Sequence, residues 1–241
     1  MVKIDLVTGF LGAGKTTFLK KYAAWLMKQG LRIGILENDF GAVNVDMMLL
    51  RELEGENCEL EMVSGGCDAE THRRRFRTKL IAMGMSGFDR VLVEPSGIYD
   101  VDEFFDTLRE EPLDRWYEIG SVIAVADAKA EKELPEAAEY VLASETACAG
   151  LVLASRSGGA SREERKALEE QLNRALEKAR CSRRLSLERE ILCRDWEELT
   201  DEDFARIASC GWVAADYVKR DTESFDSLFF MNVQMSEEEL L

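Results

Sequence analysis

Residues 2–17, VKIDLVTGFLGAGKTT, constrain the fold of this chain more than any other stretch. Their apolar half predicts a β-strand, which runs straight into the spacing Gly-x-x-x-x-Gly-Lys-Thr. In such a loop glycines let backbone N–H groups close around phosphate oxygens, lysine brings a positive charge to the β and γ phosphates, and the threonine hydroxyl reaches Mg²⁺. Residues 17–27 predict a helix whose amino terminus points at the anion. We therefore expect a P-loop with Thr16 as a Mg²⁺ ligand and phosphates held by Gly9, Gly12, Ala13, Gly14, Lys15, Thr16 and Thr17.

Composition limits the kinds of partner. The 241 residues, 46% of them hydrophobic, suffice for one main domain with a sizeable core. A net charge of −16 disfavours sequence-independent binding of nucleic acid, which needs clustered positive charge. No stretch has the ~18–20 apolar residues of a membrane span, and the chain starts in a strand instead of a signal peptide. We expect a cytoplasmic protein with no nucleic-acid or membrane partner.

The cysteines indicate a reducing environment. They stand at positions 58, 67, 148, 181, 193 and 210, widely spaced and without a C-x-x-C pair. A P-loop enzyme belongs in a reducing compartment, which favours free thiols over a disulfide framework. We therefore expect these cysteines to be reduced.

Strands and helices alternate along most of the chain. Apolar runs predict strands at 31–37, 58–63, 89–94, 121–127 and 149–153, with another from residue 190. Helical periodicity predicts helices at 47–54, 69–82, 101–110, 133–144, 161–180 and 202–209. The alternation predicts an α/β fold, a three-layer αβα P-loop NTPase with a mainly parallel sheet. A strand predicted at 225–234 lies outside it, so we expect a nucleotide-binding domain at 1–222 and, at 223–241, an extra strand that is a remnant of a C-terminal domain.

Acidic residues follow two predicted strands, at the edge where open parallel sheets present ligand-binding groups. Glu37 and Asp46 flank a polar loop, which we interpret as a switch-like loop that responds to the γ-phosphate. Glu94 ends a buried strand in the form of a Walker B strand, where an acid orients or activates water directly or through Mg²⁺. The backbone N–H of Gly97 is expected to approach the γ-phosphate. The predicted catalytic residues are Lys15, Glu94, Glu37 and Asp46.

Together these motifs resemble the CobW/HypB/UreG family of P-loop GTPases, and the CobW branch most closely. The resemblance rests on Thr8-Gly-Phe-Leu-Gly-Ala-Gly-Lys-Thr-Thr17, on Glu37-Asn-Asp-Phe-Gly41 with Asp46, and on Glu94-Pro-Ser-Gly97. The strand at 225–234 is similar to the one that opens the CobW-type C-terminal domain, the rest of which is expected to be absent or truncated. Family members are small GTPases that load or traffic zinc, cobalt or nickel. The resemblance implies Mg²⁺-dependent GTP hydrolysis coupled to metal delivery to a client metalloprotein, and dimerisation through a sheet edge or the switch loops.

The chain departs from the family at the metal motif. The family pattern Asn-Gly-Cys-x-Cys-Cys corresponds here to Gly-Gly-Cys-Asp-Ala-Glu at 65–70, so Cys67 is the remaining cysteine. Zinc accepts S, N and O ligands, so Cys67 with carboxylates and His72 would form a mixed Zn²⁺ or Co²⁺ site. The alternative is a plain loop thiol, with His72 on a helix surface. Cys58 would complete a site only if its strand brings it near.

A second departure from the family lies in the motif that recognises the nucleotide base. The family carries Asn-Lys-x-Asp, or Ser/Thr-Lys-x-Asp, after a late strand, and this aspartate accepts hydrogen bonds from guanine N1 and N2. Here Ser155-Arg156-Ser157-Gly158 occupies that place, so Ser155 and Arg156 are the predicted base contacts and the acceptor is missing. Losing the acceptor relaxes guanine preference, which leaves both GTP and ATP open. An alternative function is a low-turnover, nucleotide-regulated activator of a metal- or corrinoid-dependent enzyme. An ATP-using phosphotransferase is a third.

Overall fold

A computed structural model describes residues 1–39, 46–64, 69–97, 99, 101–129 and 134–218. The strand predicted at 225–234 and the boundary predicted at 222 lie outside these residues, as do Cys67 and most of the switch-like loop. The strands are β1 Val2–Gly9, β2 Ile33–Asp39, β3 Cys58–Ser64, β4 Arg90–Pro95, β5 Tyr117–Asp127, β6 Leu151–Ser155 and β7 Ile191–Cys193. The helices are α1 Lys15–Lys28, α2 Asp46–Leu50, α3 Ala69–Met85, α4 Val101–Leu108, α5 Leu113–Trp116, α6 Glu136–Ala147, α7 Arg162–Lys178 and α8 Asp201–Ala208. Short 3-10 turns lie at Arg51–Leu53 and Trp196–Glu198.

The strands form one seven-stranded sheet in the order β3-β2-β4-β1-β5-β6-β7. Every pair of neighbours in it runs parallel. All the loops that leave the carboxyl ends of the strands therefore open at one edge, and β1 with its P-loop lies between β4 and β5. This edge brings together the described residues that follow β1, β4, β6 and β7.

Helices cover both faces of the sheet. Alternate residues of each strand point to opposite faces. Leu92 belongs to the hydrophobic cluster on the face of α1, α2 and α8, whereas Val91 and Val93 belong to the cluster on the face of α3, α4, α6 and α7. The predicted three-layer α/β fold is confirmed. In the described residues no helix is long and apolar enough to cross a membrane. Five cysteines, at 58, 148, 181, 193 and 210, are free thiols as expected.

Several element boundaries differ from those predicted. β5 begins at Tyr117, directly after α5, because the Tyr117 ring is buried and its hydroxyl donates to the Leu80 carbonyl at 2.8 Å. β6 begins two residues late because Ala149 makes an isolated antiparallel bridge to Trp212 instead of joining the ladder. α6 extends to Ala147, three residues past its predicted end.

A buried polar cluster anchors α1 against the sheet. Asp5 of β1 is fully buried and forms an ion pair of 2.8 Å with Arg90 of β4. Tyr22 of α1 donates its hydroxyl proton to Asp5 at 2.8 Å and accepts a hydrogen bond from Arg90 at the same distance. Each buried polar group thus has a partner, as burial requires. The cluster ties together the two strands and the helix that carry the P-loop and Glu94.

Candidate functional site

The P-loop joins β1 to α1 over residues 10–14. Gly9 and Gly14 have φ of +144° and +95°, which side chains rarely adopt, and a Cβ at Gly9 would lie 2.2 Å from the Val125 carbonyl oxygen. The Ala13 N–H donates to the Phe10 carbonyl at 3.1 Å and closes the turn. The loop therefore leads directly into the amino terminus of α1, an arrangement that binds anions.

Lys15 lies folded over this loop. Its side chain is buried, and Nζ donates to the Gly9 carbonyl at 2.8 Å and to the Phe10 carbonyl at 3.4 Å. An ammonium group has three protons to donate, so a phosphate oxygen can replace or join these carbonyls.

Thr16 and Glu94 meet across the sheet. The Thr16 Oγ1 donates to Glu94 Oε1 at 2.7 Å, and both side chains are buried. Glu94 is the Cα partner of Glu37 in the β2–β4 ladder, and both lie two residues beyond apolar side chains, Leu92 and Ile35, that face α1. Two buried carboxylates on one face repel each other unless a cation or a proton compensates them. A hydroxyl beside two carboxylates is an oxygen donor set that suits Mg²⁺.

The loop after β4 reaches the P-loop. A Cβ at Gly97 would lie 2.3 Å from the backbone nitrogen of Leu11 and 2.7 Å from its Cα. A residue with a side chain at 97 would therefore displace the P-loop backbone. This contact places Gly97 at the edge where the γ-phosphate was predicted to lie.

The predicted metal ligands are separated in part. Cys67 lies outside the described residues. Asp46, predicted as a catalytic residue and not as a metal ligand, begins α2, and its side chain is not described. His72 is not on a helix surface as the alternative held: it is fully buried, and its Nε2 lies 2.7 Å from Asn38 Oδ1. Cys58 is the first residue of β3 and lies roughly 20 Å along the strand from Ser64. It is therefore at the amino end of the strands, opposite the end that carries the P-loop. Among the described residues no three His, Cys, Asp or Glu side chains group as a metal site.

Arg156 crosses from the β6 loop to the P-loop. It has φ of +54°, and its Nη2 donates to the Gly12 carbonyl at 2.8 Å. Its other terminal nitrogen pairs with Asp127 at the end of β5. Ser155 before it is buried, and its Oγ lies 3.4 Å from the Ala126 carbonyl oxygen. Of the two predicted base contacts, Arg156 presents an exposed guanidinium beside the P-loop and Ser155 packs into the sheet.

Glu145 is a site residue that the sequence did not reveal. It lies on α6 with no exposed surface. The Lys15 ammonium and the Gly9 N–H both favour its ionised form and so lower its pKa. Loss of hydration outweighs these two groups, so burial raises the pKa of Glu145 to about 8. A protonated carboxyl therefore lies beneath the P-loop at neutral pH. No local sequence pattern indicated a role for Glu145, because its neighbours on α6 have the sequence of an ordinary buried helix.

Glu145→Gln is expected to flatten the pH dependence of stability. Below the unfolded-state pKa of about 4.5 the carboxyl is protonated in both states. Between about pH 4.5 and 8 only the unfolded chain releases the proton, so the free energy of unfolding falls by about 1.4 kcal/mol per pH unit from this group. Urea unfolding at pH 5.5, 6.5 and 7.5 should show that the free energy of unfolding of the variant increases relative to that of the wild type at each step. Glu118→Gln, at an exposed position of β5, is the control; equal slopes in the wild type and Glu145→Gln would contradict this assignment.

The loop after β7 is a second element that the sequence did not reveal. The Trp196 ring lies 5.5 Å from the Phe18 ring of α1, and its indole nitrogen would lie 3.3 Å from a Cβ at Gly14. The available signal was the position of this loop after the carboxyl end of a strand, the rule that located Glu37 and Glu94.

Comparison with known proteins agrees with this geometry. The model of the CobW/HypB/UreG nucleotide-binding domain matches residues 3–183. The chain is 31% identical over 134 residues to the zinc chaperone YjiA of Escherichia coli K12, covering 53% of this chain and 41% of that protein. It is 26% identical over 170 residues to the zinc chaperone YeiR of the same strain, covering 70% and 51%. It thus spans about half the length of these curated relatives.

Among solved structures, HypB from Helicobacter pylori in complex with nickel has a TM-score of 0.50 at 16% identity, covering 85% of this chain and 82% of that one. At this identity the likeness concerns the fold alone. The family match covers most of the chain and contains the P-loop, the Thr16–Glu94 pair and the β6 loop. The chain therefore belongs to the CobW/HypB/UreG family of P-loop GTPases.

Proposed function

We propose that this protein binds and hydrolyses GTP with Mg²⁺ and couples the reaction to delivery of a transition metal, zinc in the first instance, to a client metalloprotein. The observation that carries the nucleotide half is the Thr16–Glu94 hydrogen bond of 2.7 Å beside Glu37. The names of the relatives YjiA and YeiR, zinc chaperones, support the metal half.

Each residue of the proposed nucleotide site has a separate role. The P-loop N–H groups and Lys15 would hold the phosphates. Thr16 with Glu94 would hold Mg²⁺, which would supply charge compensation for the phosphoryl group. Glu94 also orients the attacking water, and Glu37 and Asp46 transmit the presence of the γ-phosphate to the segment after β2. Glu37 is continuous with Asn38, whose side chain meets His72 on α3. This contact is a physical route from the phosphate site to the helix that follows Cys67.

Cys67 is the proposed ligand for the delivered metal. It lies between β3 and α3, and α3 carries the His72 that contacts Asn38. The second candidate function, a low-turnover activator that carries no metal, is favoured by the metal motif, in which one cysteine remains where the family has three. The two functions differ in zinc binding and share the nucleotide site.

Zinc content and phosphate release separate the two functions. We expect the purified protein to retain about one zinc per chain, to release phosphate from GTP only with Mg²⁺, and to lower its zinc affinity when GTP is bound. Cys67→Ser should lose the zinc and keep the nucleotide, whereas Cys58→Ser, a buried thiol at the far edge of the sheet, should keep both. Nucleotide binding without zinc in the wild type would favour the activator, and absence of both would refute the proposal.

A further inference from the structure

The loop after β6 holds a carboxylate that comes from another segment. Gly158, in the place of the family's aspartate, donates its N–H to Asp195 Oδ1 at 2.7 Å. A Cβ built on Gly158 would lie 2.0 Å from Asp195 Oδ2 and 2.5 Å from its Cγ. The carboxylate of Asp195 therefore fills the space into which a side chain at 158 would extend.

The segment that carries Asp195 is fixed on both sides. Before it, Arg194 forms an ion pair of 2.5 Å with Asp203, which forms a capping box with Thr200 at the start of α8. After it, Trp196 packs on Phe18 and against Gly14, at the first turn of the P-loop helix. Asp195 is thus held between the amino terminus of α1 and the β6 loop.

A carboxylate has the charge and the paired acceptors that suit the hydrogen-bonding edge of guanine. A carboxylate has about four acceptor positions, and the Gly158 N–H occupies one of those on Asp195. Guanine presents two adjacent donors, N1–H and the N2 amino group, whereas adenine presents an acceptor at N1 and has no amino group at C2. Buried or constrained polar groups reject an analogue that leaves them unpaired.

We propose that Asp195 replaces the absent aspartate at 158 as the acceptor that selects guanine, so that the chain prefers GTP to ATP. The inference rests on the proposed function, which names GTP, and it identifies the residue that selects guanine. It also reverses the expectation of relaxed base preference, since the acceptor is supplied from the β7 loop.

Calorimetric titration with Mg·GTP, Mg·ATP and Mg·XTP tests the proposal. The wild type should bind GTP at least tenfold more tightly than ATP, and Asp195→Asn should remove that preference while ATP affinity stays unchanged. Xanthine carries a carbonyl at C2, so the amide of Asp195→Asn can donate to it, and XTP affinity should rise about tenfold. Such a gain cannot come from a damaged fold. Glu198→Gln, an exposed carboxylate in the same turn, should change none of these affinities.

A reciprocal exchange gives an independent test. Gly158 does not have the positive φ that excludes side chains, and the obstacle to a side chain there is the Asp195 carboxylate itself. The double variant Gly158→Asp/Asp195→Gly should therefore restore the GTP preference that Asp195→Gly alone loses. Equal binding of GTP and ATP by the wild type, or a GTP preference that survives Asp195→Asn, would overturn the role of Asp195 and leave phosphate binding intact. Absence of binding of any nucleotide would overturn the proposed function together with it.

Discussion

Lys15→Ala is expected to weaken Mg·GTP binding by roughly 1000-fold. A hydrogen bond to a charged group contributes about 1.5–3 kcal/mol, and Lys15 is placed to make two of them, to the β and γ phosphates, or about 4 kcal/mol in total. The loss is large here because the carboxyl groups of Glu37 and Glu94 are buried near the loop. Without the ammonium a polyphosphate would enter a site with little positive charge to receive it.

Calorimetry with Mg·GTP measures the effect, and Lys28→Ala is the matched control. Lys28 belongs to the same helix, at its exposed last residue, so its removal changes the net charge equally without touching the loop. We expect the control to bind as the wild type does. Because Lys15 is buried against Gly9 and Phe10, a thermal melt of the variant must accompany the titration. A folded Lys15→Ala protein that binds within threefold of the wild type would remove the basis for a P-loop in this chain.

The P-loop and the position of Glu94 beside it were predictable because their requirements are local or follow from strand adjacency. Gly9 and Gly14 adopt backbone angles that residues with a side chain rarely adopt, so they stand in the sequence as a fixed pattern. Glu94 lies 78 residues from Thr16, yet both follow from one rule: parallel strands next to each other present their carboxyl ends to the same ligand. The acidic side chain of Glu94 and the strand pattern before it were sufficient to predict that it lies beside the P-loop.

Residues whose role depends on packing between distant elements were not predictable. His72 has the sequence context of an exposed, arginine-rich helix, and only the packing of α3 on β2 buries it against Asn38. Asp195 lies 37 residues beyond Gly158, and the two meet because β7 pairs with β6. The sequence indicated that the acceptor at position 158 is missing. The pairing of β7 with β6 brings the Asp195 carboxylate to this place from outside the motif.

Glu94→Gln is expected to lower Mg²⁺-dependent GTP turnover by about 100-fold. The substitution keeps the size of the side chain and still lets Thr16 donate to an oxygen at 2.7 Å, so the fold and the contact survive. The negative charge is lost, and with it the attraction for Mg²⁺ and the acceptor that orients water; changing a metal ligand or its immediate partner costs about 10–100-fold in metal affinity or activity. Removing one of two adjacent buried carboxylates also relieves the repulsion with Glu37, so stability should not fall.

Phosphate release at several Mg²⁺ concentrations distinguishes the two roles of Glu94. If Glu94 acts through Mg²⁺, a higher Mg²⁺ concentration should restore part of the turnover of the variant. If it orients water directly, turnover should stay low at any Mg²⁺ concentration while GTP binding remains close to that of the wild type. Glu61→Gln, on β3 of the same sheet and paired with Lys79 away from the P-loop, should hydrolyse GTP like the wild type. Unchanged turnover in Glu94→Gln would assign the reaction to another acid, and Glu37, its neighbour in the ladder, is the next residue to substitute.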